Sequence, residues 1–459
     1  MTRATVVYDH LPDCAQTAAV TLYGLHNRRR LRGWMEVLER LEPSEHWSRD
    51  MQVQFVAQRL RTILQGAFDD VPRYGAYRSL KRQLAGPDNE VFEILRELPV
   101  LTKQEIVEEP QQLISKRFQR STLSVSSTSG TTGTPMHVLV EPEARLTSDA
   151  LGWRRTVWAG YQPGDWIARL VGDHVVPLTD AHPSRPHRVS WSDRKIYLSS
   201  YHLSEATADA MLAVLARRRP AFVMGYPSAL DALASLGTQG LGSWRPRAVL
   251  YSSEPLYEHQ RVAISRLFEA PLRGLYGCAE RVVSACECEC GTYHLGLIDG
   301  YVEGQFGELP TGTPGPALVT GLLTQAMPLV RYKLGDTIEV LPDTLCRCGR
   351  TLPAIGPVLT KLEDVVVTPS GRRISASTLT WAFKDLVGIR RSQIRQRRDF
   401  SIQVLVLPIQ KGGAAAIAEI LLTRLLDMTF HEVPVQVVEV EALAVTQAGK
   451  TRFVVSERG

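Results

Sequence analysis

Apolar and polar positions follow two different periods along the 459-residue chain. In residues 28–41 and 51–68 the apolar residues recur every three or four positions, which predicts helices, and we expect residues 1–95 to be mostly helical. Between residues 166 and 260, short apolar runs alternate with helix-like segments. We predict strands at 166–171, 221–224 and 247–251, and helices at 204–217, 228–236 and 259–268. This order is typical of an α/β core with a largely parallel sheet.

The pattern changes after residue 270. Glycine and proline become frequent, and short strands are predicted at 301–302, 317–320 and 337–340. The last hundred residues combine predicted strands at 363–367, 401–407 and 433–440 with an apolar helix at 414–427. We therefore predict an α/β fold with a large N-terminal domain, 1–359, and a small α+β C-terminal domain, 360–459. The large domain would comprise a helical part (1–95), an α/β core (96–275) and a β-rich part (276–359).

Charge and hydropathy exclude two classes of partner. The 53 basic residues are nearly balanced by 48 acidic ones, which does not favour a nucleic-acid partner. No run of about 18 apolar residues occurs, so we expect no membrane span. The N-terminal residues lack the apolar core of a signal peptide, and we expect a cytoplasmic protein.

One stretch carries an unusual density of hydrogen-bonding groups. Residues 126–135 read Ser-Ser-Thr-Ser-Gly-Thr-Thr-Gly-Thr-Pro, between strand-like segments that include 136–140. Backbone N–H groups and hydroxyls in such a turn can surround a phosphate, and glycine lets the backbone approach it closely. It is not a Walker A loop, because no Gly-Lys-Ser/Thr follows. The alternative is a Ser/Thr-rich surface turn.

Four further stretches follow in order. They are Ser-Ser-Glu-Pro-Leu at 252–256, Tyr-Gly-Cys-Ala-Glu at 276–280, Arg-Tyr-Lys-Leu-Gly-Asp at 331–336 and Gly-Lys-Thr-Arg at 449–452. An ATP site needs a phosphate loop, a surface for the base, carboxylates for Mg²⁺ and the ribose, and a cation. The five stretches together supply candidates for each of these groups.

With these motifs the chain resembles the adenylate-forming enzymes, and within them the phenylacetate–CoA ligase family, including the branch found with capsular-polysaccharide genes. Supporting stretches are Leu-Pro-Val-Leu-Thr-Lys at 98–103, Ser-Tyr-His-Leu at 200–203, Gly-Tyr-Pro-Ser-Ala-Leu at 225–230, Ala-Met-Pro-Leu-Val-Arg-Tyr at 326–332 and Leu-Glu-Asp-Val-Val-Val-Thr-Pro-Ser-Gly at 362–371. The match covers nearly the whole chain. It implies a mobile C-terminal domain and, in some relatives, a dimer.

The resemblance implies a role for each motif residue. The β- and γ-phosphates of ATP would be held by Ser129, Gly130, Thr131, Thr132 and Gly133. The adenine would be lined by Ser253, Glu254 and Pro255 and flanked by Tyr276 and Gly277. Glu280 would ligate Mg²⁺, Asp336 would bind the ribose, and Lys450 would bridge the α-phosphate and the substrate carboxylate. A hinge, residues 361–364, would include Lys361 in the nucleotide-binding set.

The implied reaction is activation of a carboxylic acid, an aryl or arylacetic acid, to an acyl-adenylate, followed by transfer to coenzyme A. Two alternatives stay open: transfer to an amine or alcohol, and a non-catalytic nucleotide-binding scaffold. The scaffold is favoured by two departures from the family pattern. No lysine stands near the end of the phosphate loop, where Thr134 and Met136 occur, and Ala279 replaces a hydroxyl residue.

Six of the seven cysteines fall between Cys278 and Cys348. Such tight spacing in a cytoplasmic protein indicates a metal rather than disulfides. The spacing favours a structural Cys₃His zinc site of Cys288, His294, Cys346 and Cys348, with Cys286 or Cys290 as substitutes. Unmetallated thiols are the alternative. A catalytic thiol at Cys278 is disfavoured, because no base is evident near it.

Overall fold

Helices dominate the N-terminal part, as predicted. The computed structural model describes residues 7–128, 136–180, 183–307, 312, 314–342, 346–356, 358, 365–374, 376–383, 386–410, 412–443 and 452–458. The helices of the first part are α1 (Asp13–Arg30), α2 (Trp34–Leu41), α3 (Arg49–Asp70), α4 (Asp88–Glu97) and α5 (Lys103–Glu108). Helix α5 begins at a capping box in which Thr102 and Glu105 satisfy each other's backbone N–H groups.

The continuous helix predicted over 28–41 is wrong. Helix α1 ends at Arg30 and α2 begins at Trp34. Gly33 between them has a φ of 87°, a left-handed conformation that a helix interior does not accommodate. The apolar period continues across this break, so periodicity alone did not reveal it.

A mixed nine-stranded sheet forms the centre of the molecule, in the order β14-β10-β9-β8-β7-β6-β3-β5-β4. Its strands are β3 (Ile167–Leu170), β4 (His187–Ser190), β5 (Lys195–Leu198), β6 (Phe222–Gly225), β7 (Ala248–Ser252), β8 (Leu272–Gly277), β9 (Ser284–Glu287), β10 (Tyr293–Leu295) and β14 (Ala354–Ile355). The five strands from β8 to β5 are parallel, and their connecting helices are α7 (Glu205–Arg218), α8 (Pro227–Leu236) and α9 (Glu258–Phe268). This confirms the predicted α/β core, in which the carboxyl ends of the parallel strands form one edge.

Two small sheets lie beside this core. A hairpin pairs β1 (Ser124–Thr128) with β2 (Met136–Val140), and helix α6 (Pro142–Trp158) follows it. A three-stranded sheet consists of β11 (Gly300–Val302), β12 (Gly315–Gly321) and β13 (Tyr332–Ile338). Strand β13 therefore begins five residues before the strand predicted at 337–340. Strands β9, β10 and β14 continue the central sheet instead of joining the three-stranded one.

The C-terminal part has its own mixed sheet, β19-β18-β17-β20, with one helix packed on it. The elements are β15 (Val366–Val367), β16 (Arg373–Ile374), α10 (Ala376–Leu379), β17 (Ile389–Gln396), β18 (Ile402–Pro408), α11 (Ala415–Met428), β19 (Val435–Glu439) and β20 (Val454–Ser456). Its apolar core includes Leu178 and Tyr201 of the large part, and the rings of His202 and Phe430 meet at 4.7 Å. Among the described helices, none has both the length and the apolar character needed to cross a bilayer.

Candidate active site

The predicted adenine segment lies at the carboxyl edge of the central sheet. Strand β7 ends at Ser252, which pairs with Leu275 of the parallel strand β8, so Ser253 lies next to Tyr276 and Gly277, the last two residues of β8. Ser253 has a φ of 72°, in the left-handed region. The two motifs that we assigned to the base are therefore neighbours at the end of adjacent strands, where ligands bind in open α/β sheets.

Glu254 presents an open acceptor at this edge. One of its carboxylate oxygens accepts a hydrogen bond of 3.0 Å from the backbone N–H of Ser228, in the first turn of α8. The other oxygen is buried and, within the described residues, has no hydrogen-bond partner. A buried oxygen of this kind is costly unless a ligand donates to it, which suits the exocyclic amino group of an adenine.

Two tyrosines hold the two predicted carboxylates. The hydroxyl of Tyr276 donates to Oδ2 of Asp336 at 3.0 Å, and the hydroxyl of Tyr332 donates to Oε1 of Glu280 at 3.0 Å. Burial, together with the negative charge of the adjoining carboxylates, raises the pKa of both tyrosines. Both hydroxyls therefore remain protonated and can donate. The two hydrogen bonds connect the central sheet to the three-stranded sheet and hold the carboxylates of Glu280 and Asp336 in place.

The base of the phosphate-loop hairpin contacts the same motif. The hydroxyl of Ser126 in β1 donates to the carbonyl oxygen of Ala279 at 2.7 Å, immediately before Glu280. The guanidinium of Arg281 lies 3.4 Å from the Ser126 hydroxyl and forms an ion pair with Asp149 at 2.7 Å. Arg281 was not among the predicted site residues. It follows Glu280 directly, and its guanidinium, paired with Asp149, lies beside the base of the hairpin.

Lys103 is a second cation that sequence reasoning missed. The backbone of Leu101 bonds to β13 on both sides of Tyr332: its N–H donates to Arg331 at 3.0 Å and its carbonyl accepts from Lys333 at 2.9 Å. Burial lowers the pKa of Lys103, and the carboxylates of Glu280 and Asp336 act against that lowering. The ammonium therefore lies within electrostatic range of both carboxylates. In the sequence this segment supports only the family resemblance, and its approach to β13 carries no sequence signal.

Cys278 lies inside the motif but is unsuited to nucleophilic chemistry. Burial and the neighbouring Glu280 carboxylate raise the pKa of its thiol. The thiolate is the reactive form, so this cysteine is held in its unreactive state.

Part of the predicted site lies outside the described residues. This applies to the phosphate-loop residues Ser129, Gly130, Thr131, Thr132 and Gly133, to Thr134, to Lys361 of the hinge and to Lys450. Their roles stay predictions.

The four predicted metal ligands come together. Ligand atoms of Cys288, His294, Cys346 and Cys348 all lie within 4.8 Å of one another. The sulfurs of Cys288 and Cys346 are 3.7 Å apart, and the sulfur of Cys348 is 3.4 Å from Nε2 of His294. Two thiolates on a tetrahedral zinc are separated by about 3.7 Å, and a thiolate and an imidazole nitrogen by about 3.5 Å. The two measured separations match these distances.

Contacts around the cluster orient the ligands. Nδ1 of His294 lies 3.1 Å from the carbonyl oxygen of Leu352, which fixes the ring with Nε2 facing the sulfurs. Hydrogen bonds from Thr292 and from the neighbouring ligands overcome the effect of burial and lower the pKa of Cys346 to about 6. The proposed substitute Cys286 is excluded, since its sulfur faces the carbonyl oxygen of Leu151 at 3.7 Å. Cys290 is exposed and is not part of the four-residue group.

Comparisons with known proteins agree with the resemblance drawn from the motifs. No protein-family model matches the chain. The chain is 23% identical to Protein CapK of Staphylococcus aureus over 350 residues, which are 73% of this chain and 72% of that protein. It is 24% identical to phenylacetate-coenzyme A ligases of Pseudomonas putida (71% and 74% of the two chains) and Thermus thermophilus (68% and 70%).

Solved structures share the fold. A 2-hydroxyisobutyryl-CoA ligase in complex with 2-HIB-AMP and CoA superposes with a TM-score of 0.55 at 18% identity, over 90% of this chain and 91% of that one. The same ligase in its postadenylation state gives a TM-score of 0.52. The predicted fold class, that of adenylate-forming CoA ligases, is therefore confirmed.

Proposed function

We propose that this protein is an ATP-dependent acid–thiol ligase that converts a carboxylic acid into an acyl-adenylate and then transfers the acyl group to coenzyme A. The observation that carries the proposal is the convergence of Glu280, Asp336 and the hairpin base at one edge of the sheet. The comparisons support it, since a chain with this fold holds an acyl-AMP and CoA, and relatives similar in sequence are CoA ligases.

In the first step a carboxylate oxygen attacks the α-phosphorus of ATP, and the bond to pyrophosphate breaks. Both reactants are anions, so the protein must position them and neutralise charge. Glu280 would hold the Mg²⁺ ion and Asp336 the ribose hydroxyls. Lys450, Lys103 and Arg281 would supply positive charge, and the last two offset the lysine that the phosphate loop lacks.

The adenine would lie against Tyr276, with its amino group donating to the open oxygen of Glu254. In the second step the thiol of coenzyme A attacks the acyl carbon and AMP leaves. The proposed acid is an aryl or arylacetic acid, by analogy with the phenylacetate-coenzyme A ligases that the chain resembles.

We further propose that Cys288, His294, Cys346 and Cys348 bind one structural zinc ion. Four protein ligands close a tetrahedral site and leave no position for a substrate. The ion would join the β9–β10 turn to the segment around residue 346, and through His46, whose Nδ1 lies 3.1 Å from the carbonyl oxygen of Gly349, to the N-terminal helices. Reduced cysteines suit the cytoplasm, where we place the protein.

Carboxylate-dependent ATP–pyrophosphate exchange tests the first step. A panel of aryl, arylacetic and fatty acids would be assayed with wild-type protein, with Lys450→Ala and with the matched control Lys116→Ala at an exposed lysine. Exchange with some acid, strongly reduced only in Lys450→Ala, is the expected result. Addition of CoA to the active mixture should then yield the acyl thioester and AMP. ATP binding without exchange for any acid would contradict adenylation and favour the scaffold alternative.

A further inference from the structure

A cavity lies at the end of the parallel strands opposite to the candidate active site. It has a volume of about 390 Å³ and is lined by the α1–α2 junction and by Ile167 and Lys195, the first residues of β3 and β5. The candidate active site occupies the carboxyl ends of the parallel strands. Each of these two strands spans four residues, or about 13 Å, so the cavity is separate from the nucleotide edge.

Three aromatic rings form one wall of this cavity. The ring centroid of Trp34 lies 5.2 Å from that of Trp153 and 5.8 Å from that of Tyr161, and the latter two are 5.9 Å apart. All three rings are half-buried, so each keeps a surface toward the cavity. The left-handed turn at Gly33 places Trp34, the first residue of α2, against the other two.

The residues that line the cavity leave an excess of positive charge. The two acidic residues are already paired: Asp193 with Lys195 at 2.9 Å, and Asp165 with Arg247 at 2.7 Å. The guanidinium of Arg28 donates to the carbonyl oxygen of Ser192 at 3.4 Å, and that of Arg194 donates to the carbonyl oxygen of Gly164 at 2.9 Å. Within the described part of the chain neither guanidinium has a carboxylate partner.

Both arginines line the same cavity as the three aromatic rings. Burial and the charge of Asp165 raise the pKa of Tyr161, and Arg28 and Arg194 are close enough to its phenol to oppose that rise. An adjoining depression shares Arg28 and Trp34 with the cavity and adds Arg29 and Arg32 to its rim. The sequence alone favours a solvated helix face for the arginines at 28–32, with an anion site as the less favoured alternative; in the structure Arg28, Arg29 and Arg32 border the aromatic cavity and the adjoining depression.

We propose that this cavity binds a planar aromatic anion, with the ring of the ligand against Trp34, Trp153 and Tyr161 and its carboxylate on Arg28 and Arg194. Aromatic walls bury a flat apolar ring, and arginine bonds a carboxylate through two parallel N–H groups. A volume of this size matches a one- or two-ring ligand. The site is additional to the acid-binding position of the proposed ligase reaction and does not depend on that reaction.

Isothermal titration calorimetry with 2-naphthoate tests the proposal, with 2-naphthylmethanol as the uncharged counterpart. The charge variant is Arg28→Gln combined with Arg194→Asn, because Arg194 has a φ of 52° and asparagine tolerates that conformation. Its matched control is Arg82→Gln combined with Arg266→Gln, at two exposed arginines elsewhere. A second variant, Leu31→Trp, fills the cavity without changing its charge.

We expect 2-naphthoate to bind wild-type protein and the control pair equally. The charge variant and Leu31→Trp should each weaken binding by at least about tenfold, as should replacement of the carboxylate by the alcohol. Binding should also weaken as ionic strength rises. The proposal is overturned if no binding of 2-naphthoate is measured up to about 5 mM. It is also overturned if both variants bind 2-naphthoate as the wild type does, because the ligand would then bind at the candidate active site.

Discussion

The hydroxyl of Tyr276 donates a hydrogen bond to Oδ2 of Asp336 at 3.0 Å. Tyr276 belongs to the central sheet and Asp336 to the three-stranded sheet, so this bond joins two separately hydrogen-bonded layers. The Tyr332–Glu280 bond joins the same two parts in the opposite sense, with the tyrosine on β13 and the carboxylate after β8. Asp336 on β13 is therefore held by a tyrosine of β8, and Glu280, which follows β8, is held by a tyrosine of β13.

Replacement of Tyr276 by phenylalanine tests this arrangement. The substitution keeps the ring and removes the donor to Asp336. A hydrogen bond to a charged group contributes roughly 1.5–3 kcal/mol, so we expect KM for ATP in the exchange assay to rise about tenfold or more, with a smaller effect on kcat. The control is Tyr23→Phe at an exposed tyrosine. An unchanged KM for ATP would show that Asp336 does not need this donor.

Sequence reasoning recovered the features that depend on neighbouring residues. The parallel core followed from apolar periodicity, and the grouping of Cys288, His294, Cys346 and Cys348 followed from Cys and His spacings within two short turns. The hairpin of β4 and β5 was missed, because His187 and Lys195 place polar residues in half-buried and buried strand positions. The buried Lys195 is accommodated by an ion pair of 2.9 Å with the carboxylate of Asp193, in the turn between the two strands, which a pattern of apolar positions does not register.

Relationships across long sequence separations could not be predicted. The approach of Lys103 to Glu280 spans 177 positions and depends on the pairing of Leu101 with β13. The sequence also did not predict that β9, β10 and β14 belong to the central sheet, because they join it by pairing along its edge. Such pairing depends on which strand edges meet in the folded chain, and not on the composition of the segment.

Lys103→Met should reduce pyrophosphate exchange while leaving the fold intact. The variant removes a cation from the site but retains the apolar length of the side chain. We expect kcat/KM for ATP to fall by about 100-fold, the scale of one lost electrostatic contact in a transition state. The melting temperature should not fall, because methionine avoids the cost of burying a charge. Partial recovery in Lys103→Arg and no effect in Lys116→Met would identify charge as the cause, whereas wild-type exchange in Lys103→Met would exclude this role.

The metal cluster predicts unequal effects for two nearby cysteines. Cys346→Ser removes one of the four ligands, so purified protein should lose its zinc, measured by inductively coupled plasma mass spectrometry, and Tm should fall by about 5 °C or more. Cys290→Ser, at an exposed neighbour outside the group, should retain one zinc per chain and the wild-type Tm. Equal zinc content in the two variants would contradict the ligand set.

Asp299 gives a pH dependence of stability whose sign is fixed by its surroundings. The residue is 2% exposed, and one carboxylate oxygen has no hydrogen-bond partner within the described residues. Burial raises its pKa to about 6 from an ordinary value of 3.8, although Ser284 and Arg154 act in the opposite direction. A carboxyl with a raised pKa stabilises the fold only in its protonated form. That contribution is complete below the ordinary pKa of 3.8, and it is lost between pH 3.8 and about pH 6, above which both the folded and the unfolded state are deprotonated. Deprotonation in the folded state then costs on the order of 3 kcal/mol, which Asp299→Asn avoids because it carries no charge.

The advantage in free energy of unfolding of Asp299→Asn over the wild type should therefore grow from about pH 4 to about pH 6 and then level off, as measured by urea denaturation at each pH from about 4 to about 8. Glu39→Gln, at an exposed helix position, should show no such trend. The amide can still accept a hydrogen bond from Ser284, so the comparison isolates the charge. A difference that stays constant across this pH range would mean that Asp299 titrates at its ordinary pKa, and that its unpartnered oxygen is solvated in the folded protein.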